Sequence, residues 1–268
     1  MKRGEDRCRS DGEVTAYIIC HTGRVRENNE DNFVLNGISK KLEYSNVSFK
    51  RSISQPLVAG VFDGMGGEAN GEYASRIAAE TAKDLYRKLI SLPGCDCEAL
   101  ANNFATEANN RIRDFMSDRH CSAGGSTVAA VMIKRGVIYP FSLGDSRVYL
   151  LRGGSLVQLS HDHTLAQRKV DDNIYTREEA LRSSDSHKLT LFLGADYVKD
   201  GLEAQCYESV CLQKGDTLLL CSDGLYDELT DAEIESVLRQ SSGNPSFELV
   251  KKALQNGGGD NVTCVVIK

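Results

Sequence analysis

Residues 57–67 read LVAGVFDGMGG, and this stretch with its flanks decides the architecture. The apolar run 57–62 stops abruptly at Asp63-Gly64, as a strand entering a turn does. From 70 to 90 the period changes to helical, with Ala74, Ile77, Ala78, Ala82, Leu85 and Leu89 on one face. A second stripe, Leu100, Phe104, Ala108, Ile112 and Phe115, predicts another amphipathic helix directly after it. Two long helices in succession after a strand form a pair laid over a sheet.

Outward from this point most segments are strands. The ranges 14–20 and 32–35 precede it; 127–133, 137–143 and 147–151 follow, and Arg152-Gly153-Gly154-Ser155 turns the chain into 156–159. Residues 164–188 are polar and contain a capping-box signature, Thr176 to Glu179, that opens a short helix. Strands are expected at 189–193, 204–212 and 217–221, and a second capping box at Thr230 starts a helix to about Arg239. Pro245 begins a last helix that stops at Gly257, before a closing strand at 262–267. The order predicts an α+β sandwich of antiparallel hairpins, not a βαβ array. With no repeat and no linker, residues 14–268 form one domain behind an N-terminal tail, 1–13.

The composition agrees. The 268 residues carry 32 Lys+Arg against 38 Asp+Glu, a net charge of -6, with 26% charged and 41% hydrophobic residues, which is globular rather than disordered. No apolar run reaches the ~18 residues of a bilayer span, and the charged start MKRGEDRCRSDGE lacks a secretory h-region. The acidic balance argues against a nucleic-acid partner. Nine cysteines without a signal predict reduced thiols in a cytoplasmic protein; Cys95 and Cys97 are the only close pair and a weak zinc signal.

Four times an apolar strand meets an aspartate beside a glycine: VFDGMGG at Asp63, SLGDSR at Asp145, LLCSDG at Asp223 and GGGDNV at Asp260. A single such dipeptide is a turn. Four at strand ends can converge on one edge of a sheet system, and carboxylates crowd together only around cations. An all-oxygen set points to Mg²⁺ or Mn²⁺. Arg24-Val25-Arg26-Glu27-Asn28-Asn29-Glu30-Asp31 adds arginines for a phosphate and two more carboxylates that could hold metal-bound waters.

In order, RVRENNED, VFDGMGG, GGSTVAAV, LGDSRVYLL, LSHDHTL, LCSDGLYD and GGGDNVT resemble the metal-dependent protein phosphatases (PPM), the protein phosphatase 2C-like serine/threonine phosphatases, over nearly the whole chain. The DGMGG form and the 164–188 segment are closer to the bacterial type. The resemblance implies two antiparallel β-sheets as a central sandwich flanked by α-helices on both sides, an αββα four-layer fold. It implies that Asp63 bridges two metals with the Gly64 carbonyl as a further ligand, and that Asp223 and Asp260 complete the binuclear centre. Glu30 and Asp31 then act through metal-bound water, Arg26 grips the substrate phosphate, and Asp145 shares a third, weaker metal site with Asp223. The cofactors implied are two Mn²⁺ or Mg²⁺ per chain, and the partners are phosphoserine/phosphothreonine proteins, met by a monomer away from membranes.

The chemistry expected is direct attack on the phosphoester by a hydroxide between the metals, without a phosphoenzyme. No cysteine offers a C-x5-R nucleophile loop. Relatives carry a histidine where this chain has Met65 or Glu68, so the residues name no general acid. His161 and His163 either reach the site or anchor the following flap, about 165–188. The 37–56 stretch, with Lys40, Lys41, Lys50 and Arg51, is a solvated hairpin or a docking surface for an acidic partner. Two other readings are compatible with the same residues: a pseudophosphatase that binds phosphoproteins without turnover, and a small-molecule phosphomonoesterase.

Overall fold

The computed structural model describes residues 13–42, 44–66, 70–92, 94, 96–120, 124–197 and 202–268. Glu68, Cys8, Cys95, Cys121 and residues 1–12 of the predicted tail lie outside them.

Among the described residues, two antiparallel sheets carry the fold. The six-stranded sheet runs Ser155–Gln158, Arg147–Arg152, Thr217–Cys221, Val262–Ile267, Val14–His21, Val47–Ile53. The seven-stranded sheet runs Gln205–Cys206, Val137–Leu143, Val128–Lys134, Leu57–Phe62, Asn32–Leu35, Ile38–Ser39, with Val210–Cys211 also on the edge of Val137–Leu143. Their facing sides share one buried cluster, in which Ile18, Leu150, Leu220 and Val265 from the first sheet meet Phe33, Leu57, Val131 and Ile138 from the second. The alternation in the strands explains the division. Leu219 and Val266, the immediate chain neighbours of Leu220 and Val265, point the other way and pack on the helices Asp231–Gln240 and Pro245–Asn256.

On the far side of the second sheet, Val58, Phe62, Val128 and Phe141 pack against the helices Asn70–Ser91 and Cys97–Asp118. Their predicted stripes are the buried faces, Phe115 being half-buried against the cluster. Asp96 caps the second helix, its carboxylate accepting the Glu98 and Ala99 amides. Both predicted capping boxes form, at Thr176 and Thr230. The result is the expected four-layer arrangement, helices on either side of a β-sandwich.

Several local expectations are corrected. The 189–193 range makes only isolated bridges, Thr164 to Leu189 and Ser126 to Leu193. The 204–212 range contributes two two-residue strands. The polar 164–188 segment contains an additional helix, Leu165–Asp171. Within the 37–56 stretch, expected as a solvated hairpin or a docking surface, residues 47–53 are an edge strand paired with Val14–His21. Cys211 is disulfide-bonded rather than reduced, whereas Cys20, Cys97, Cys206, Cys221 and Cys264 are free.

Candidate active site

Register brings the aspartates together. Leu57–Phe62 and Val137–Leu143 each pair antiparallel with Val128–Lys134, so they run in the same direction and deliver Asp63 and Asp145 to one end of their sheet. Asn32 pairs with Phe62, which puts Asp31 and Glu30 at that same end. In the first sheet Cys221 pairs with Cys264 and His21 with Val262. Asp223, Asp260 and the 22–30 loop that carries Arg26 therefore emerge together. The sandwich contributes acids from both sheets to one rim.

Each acid is held by local contacts. The Asp63 amide donates to Thr127 Oγ1 at 3.0 Å, and the Thr127 amide returns a bond to the Asp63 carbonyl at 2.9 Å. Thr127 Oγ1 lies 2.7 Å from Ser146 Oγ, which ties Asp63 to the Asp145 turn. Gly64 has a steric reason to be glycine: a Cβ there would lie 2.1 Å from the Gly71 carbonyl oxygen and 2.6 Å from that of Glu30. Gly224 likewise lets the 223–226 turn sit against Asn261, whose carbonyl oxygen a Cβ would meet at 2.1 Å. Ser222 Oγ donates to Asp31 Oδ2 at 2.7 Å and accepts the Thr263 amide at 2.9 Å, joining the two sheets under the rim.

The electrostatics are those of crowded anions. Burial pushes the Asp63 carboxyl well above the usual carboxylate range, with Asp223, Asp31 and Asp145 pushing the same way. Asp145 is raised by burial and then by Asp223 and Asp162. Asp223 is raised by burial and then by Asp260, and burial lifts Asp31 to about 7. Asp31 Oδ1 and Asp223 Oδ1 are shut off from water and accept no hydrogen bond. A buried carboxylate oxygen without a donor is costly unless a cation faces it. Glu30 sits at the margin: burial raises it, and Arg26 is the first of its neighbours to act in the opposite direction. Arg26 Nη2 donates to Asp260 Oδ2 at 2.6 Å.

All of the predicted site residues, Arg26, Glu30, Asp31, Asp63, Gly64, Asp145, Asp223 and Asp260, therefore stand at one rim. His161 and His163 do not join them. His161 Nε2 pairs with Asp171 Oδ2 at 2.8 Å, and His163 Nδ1 accepts the Gly144 amide at 3.0 Å, so both anchor the flap. Lys40 is not a surface residue: it is 2% exposed, and its Nζ donates to the Asn29 carbonyl at 2.6 Å beneath the 22–30 loop. Three contributors were not read from sequence. Asn261 clamps the loop, accepting the Glu30 amide at 2.8 Å and donating to the Thr22 and Asn28 carbonyls at 2.8 and 2.9 Å. Asp227 lies one helical turn after Asp223, a spacing that could have found it. His187 approaches both from the flap and carries no sequence signal. No helix among the described residues is long and apolar enough to cross a membrane.

Comparison with known proteins agrees with this geometry. The protein phosphatase 2C family profile matches residues 46–257. The serine/threonine phosphatase stp of Listeria welshimeri is 30% identical over 250 residues, 92% of either chain. The crystal structure of the Mycobacterium tuberculosis serine/threonine phosphatase PstP/Ppp superposes with a TM-score of 0.79 at 28% identity, over 96% of this chain and 99% of that one. A structure of the PstP catalytic domain in complex with two manganese ions superposes with a TM-score of 0.77 at 28% identity, over 96% and 99%. The chain belongs to the protein phosphatase 2C family, and within it resembles the bacterial serine/threonine phosphatases.

Proposed function

We propose that the chain is a metal-dependent protein serine/threonine phosphatase acting on phosphoserine and phosphothreonine. The observation that carries this is the crowding of Asp31, Asp63, Asp145, Asp223 and Asp260 beside Arg26, with two buried carboxylate oxygens lacking any donor. The donor set is oxygen only, which fits Mn²⁺ or Mg²⁺. Asp63, the Gly64 carbonyl, Asp223 and Asp260 would hold two cations, Glu30 and Asp31 would act through water, and Asp145 with Asp223 would offer a weaker third position. When bound, such cations supply Lewis acidity toward a water and the phosphoryl oxygens.

The chain's own residues orient the reaction. Arg26 is more than half exposed, with side-chain exposure of 55%, so its guanidinium can turn from Asp260 to a phosphate dianion and hold it by paired charged hydrogen bonds. Asp31, buried and lifted to about 7 by that burial, is held from beneath the rim by Ser222 Oγ, which donates to its Oδ2 and leaves Oδ1 facing the other acids. Asn261 and Lys40 keep the 22–30 loop, and with it Arg26 and Glu30, in register with Asp260. The single domain 14–268 supplies the rigid rim, and the 165–188 flap lies beside it to influence which phosphoprotein segment fits.

The test is hydrolysis of a phosphothreonine peptide with Mn²⁺, with and without EDTA, beside Asp63→Ala. Activity abolished by both supports the reading. Activity that survives both would sink the metal-dependent mechanism, and a folded protein inactive with Mn²⁺ and Mg²⁺ alike would indicate a pseudophosphatase.

A further inference from the structure

We propose that the groove between the helix Pro245–Asn256 and the edge strand Val47–Ile53 docks an acidic, apolar-anchored segment of the phosphoprotein substrate. The sheet makes the groove by outrunning its helices. Val47–Ile53 is the last strand of the six-stranded sheet and, among the described residues, pairs only with Val14–His21. The helix Pro245–Asn256 packs on Val262–Ile267 and Val14–His21, further in, and leaves a hollow of about 580 Å³ beside the edge strand. Ile19, Val47, Val250 and Leu254 line it, and Phe247, also in the lining, is 50% exposed. Phe247, Val250, Lys251 and Leu254 follow the i, i+3, i+4, i+7 spacing, so one face of the helix forms that wall. Apolar surface gathered in a hollow, unlike a scattered side chain, marks an interaction site.

Charge selects an acidic occupant. The lining carries Arg24 and Lys251 and no acid, in a chain whose net charge is -6. Glu248, the acid of that helix, is not part of the lining. Lys50 stands two residues beyond Ser48 on the same face of the edge strand. All three cations are exposed, and none pairs with a carboxylate among the described residues. Arg24 Nη1 instead donates to the Leu254 carbonyl at 3.1 Å, and Lys50 Nζ lies 5.3 Å from the centre of the Tyr17 ring. A segment with acids and large apolar side chains complements both the rim of the groove and its floor. Continuity with the carboxylate rim selects the substrate as its source. Arg24 stands at the end of the groove where the chain leaves Val14–His21, its amide donating to the Gly258 carbonyl at 2.9 Å. At the same end Asn46 Oδ1 accepts the Thr22 amide at 2.9 Å. The 22–30 loop is thus both the end wall of the groove and the carrier of Arg26, two residues and at most about 7 Å of backbone from Arg24.

The inference rests on the phosphatase reading, and peptide kinetics separate the two. The peptides share one phosphothreonine core, used alone, extended by Glu-Phe-Asp-Leu-Glu-Leu, or extended by Lys-Phe-Lys-Leu-Lys-Leu, with each extension placed at either end in turn. With Mn²⁺, wild type should hydrolyse the acidic extension in one orientation with KM about tenfold below that of the core and kcat unchanged. Docking away from the reacting atoms binds ground state and transition state alike. The gain should shrink with added salt. Phe247→Ala and Lys251→Glu should lose it while hydrolysing the core as wild type does, and Lys251→Glu should come to prefer the basic extension. A merely structural role would not reverse the preference. Both side chains reach the surface, and thermal melts check that the variants fold. Equal KM for core and extended peptides in wild type, or a gain retained in both variants, would overturn this inference and leave the phosphatase reading intact. Binding of the unphosphorylated acidic peptide with no effect on KM would assign the groove to a partner other than the substrate. A dimer that Phe247→Ala dissolves would assign it to a second copy of the chain, and either result overturns the inference. Failure to hydrolyse even the core with Mn²⁺ or Mg²⁺ would overturn both readings.

Discussion

Arg26 and Asp260 are joined across the rim by a 2.6 Å contact between Nη2 and Oδ2, although 234 residues separate them in the chain. The pair links the proposed phosphate-gripping group to a proposed metal ligand, so each competes for the other's partner. Arg26→Ala should lower kcat/KM on a phosphothreonine peptide by about 100-fold, the scale of losing a charged donor to the transition state. Arg26→Lys should recover little, because an ammonium lacks the planar fork. Mn²⁺ affinity should stay level or tighten, since Asp260 loses a competing cation. Weakened Mn²⁺ binding in Arg26→Ala, measured by calorimetry, would mean that Arg26 only props up the rim.

Asn261 is 6% exposed and satisfies three backbone groups of the 22–30 loop. Asn261→Ala strands one amide and two carbonyls, and should cost about 2 kcal/mol or more. For a domain of this size that is a drop in Tm of roughly 4–8 °C. Asn261→Asp should be as harmful, because it replaces the two donors with an acceptor beside a crowd of acids. KM for the phosphopeptide should rise in both variants as Arg26 loses its frame. A melt indistinguishable from wild type would show that water replaces the clamp.

Gly64 and Gly71 approach so closely that neither tolerates a methyl group; at Gly64 the added Cβ would lie 2.1 Å from the Gly71 carbonyl oxygen. Because that neighbour is backbone, relief requires moving the start of the helix or the turn after Asp63. Gly64→Ala should therefore lose measurable Mn²⁺ binding and melt well below wild type. Gly37→Ala is the control, with nothing within 4 Å of the added methyl, and should stay within roughly 0.5 kcal/mol of wild type. Full Mn²⁺ binding by Gly64→Ala would show that the glycine is needed for neither packing nor coordination.

The residues that sequence reading found and those it missed differ in how their positions arise. Asp63, Asp145, Asp223 and Asp260 were legible because strand ends are local signals, and antiparallel register then aligns those ends without further information. Leu57–Phe62 and the two helical stripes were legible for the same local reason. His187 and Lys40 were not, since each reaches its place through the path of a distant segment: the flap returning along His163, and the hairpin folding Lys40 under Asn29. The 189–193 range is apolar enough for a strand, yet its neighbours offer only two isolated bridges. Pairing is decided by partners, not by the segment alone.

The metal-free protein should lose stability as pH rises, and divalent cations should reverse this. Burial, reinforced by Asp223, lifts Asp227 to about 6. Asp31 stands at about 7, and Asp63 and Asp145 are raised well above the ordinary value. A carboxyl whose folded value exceeds its unfolded value of about 4 binds protons more tightly when folded. Its stabilising contribution is complete below the unfolded value and disappears as pH climbs through the folded one. The affected window thus runs from about pH 4 to 7 and beyond. Glu233 works in the other sense, held down to about 2 by the Thr230 backbone and Lys252, but its contribution is already complete above about pH 5.5. Melts in EDTA should accordingly show Tm falling by several degrees between about pH 5.5 and 8. The rise in Tm on adding Mn²⁺ should grow over the same interval, because bound cations replace the lost protons. Asp63→Asn should melt higher than wild type in EDTA at the alkaline end and gain little from Mn²⁺. If the EDTA melts rise with pH, or Asp63→Asn shows no gain there, repulsion among these carboxylates is not what the rim must overcome to fold.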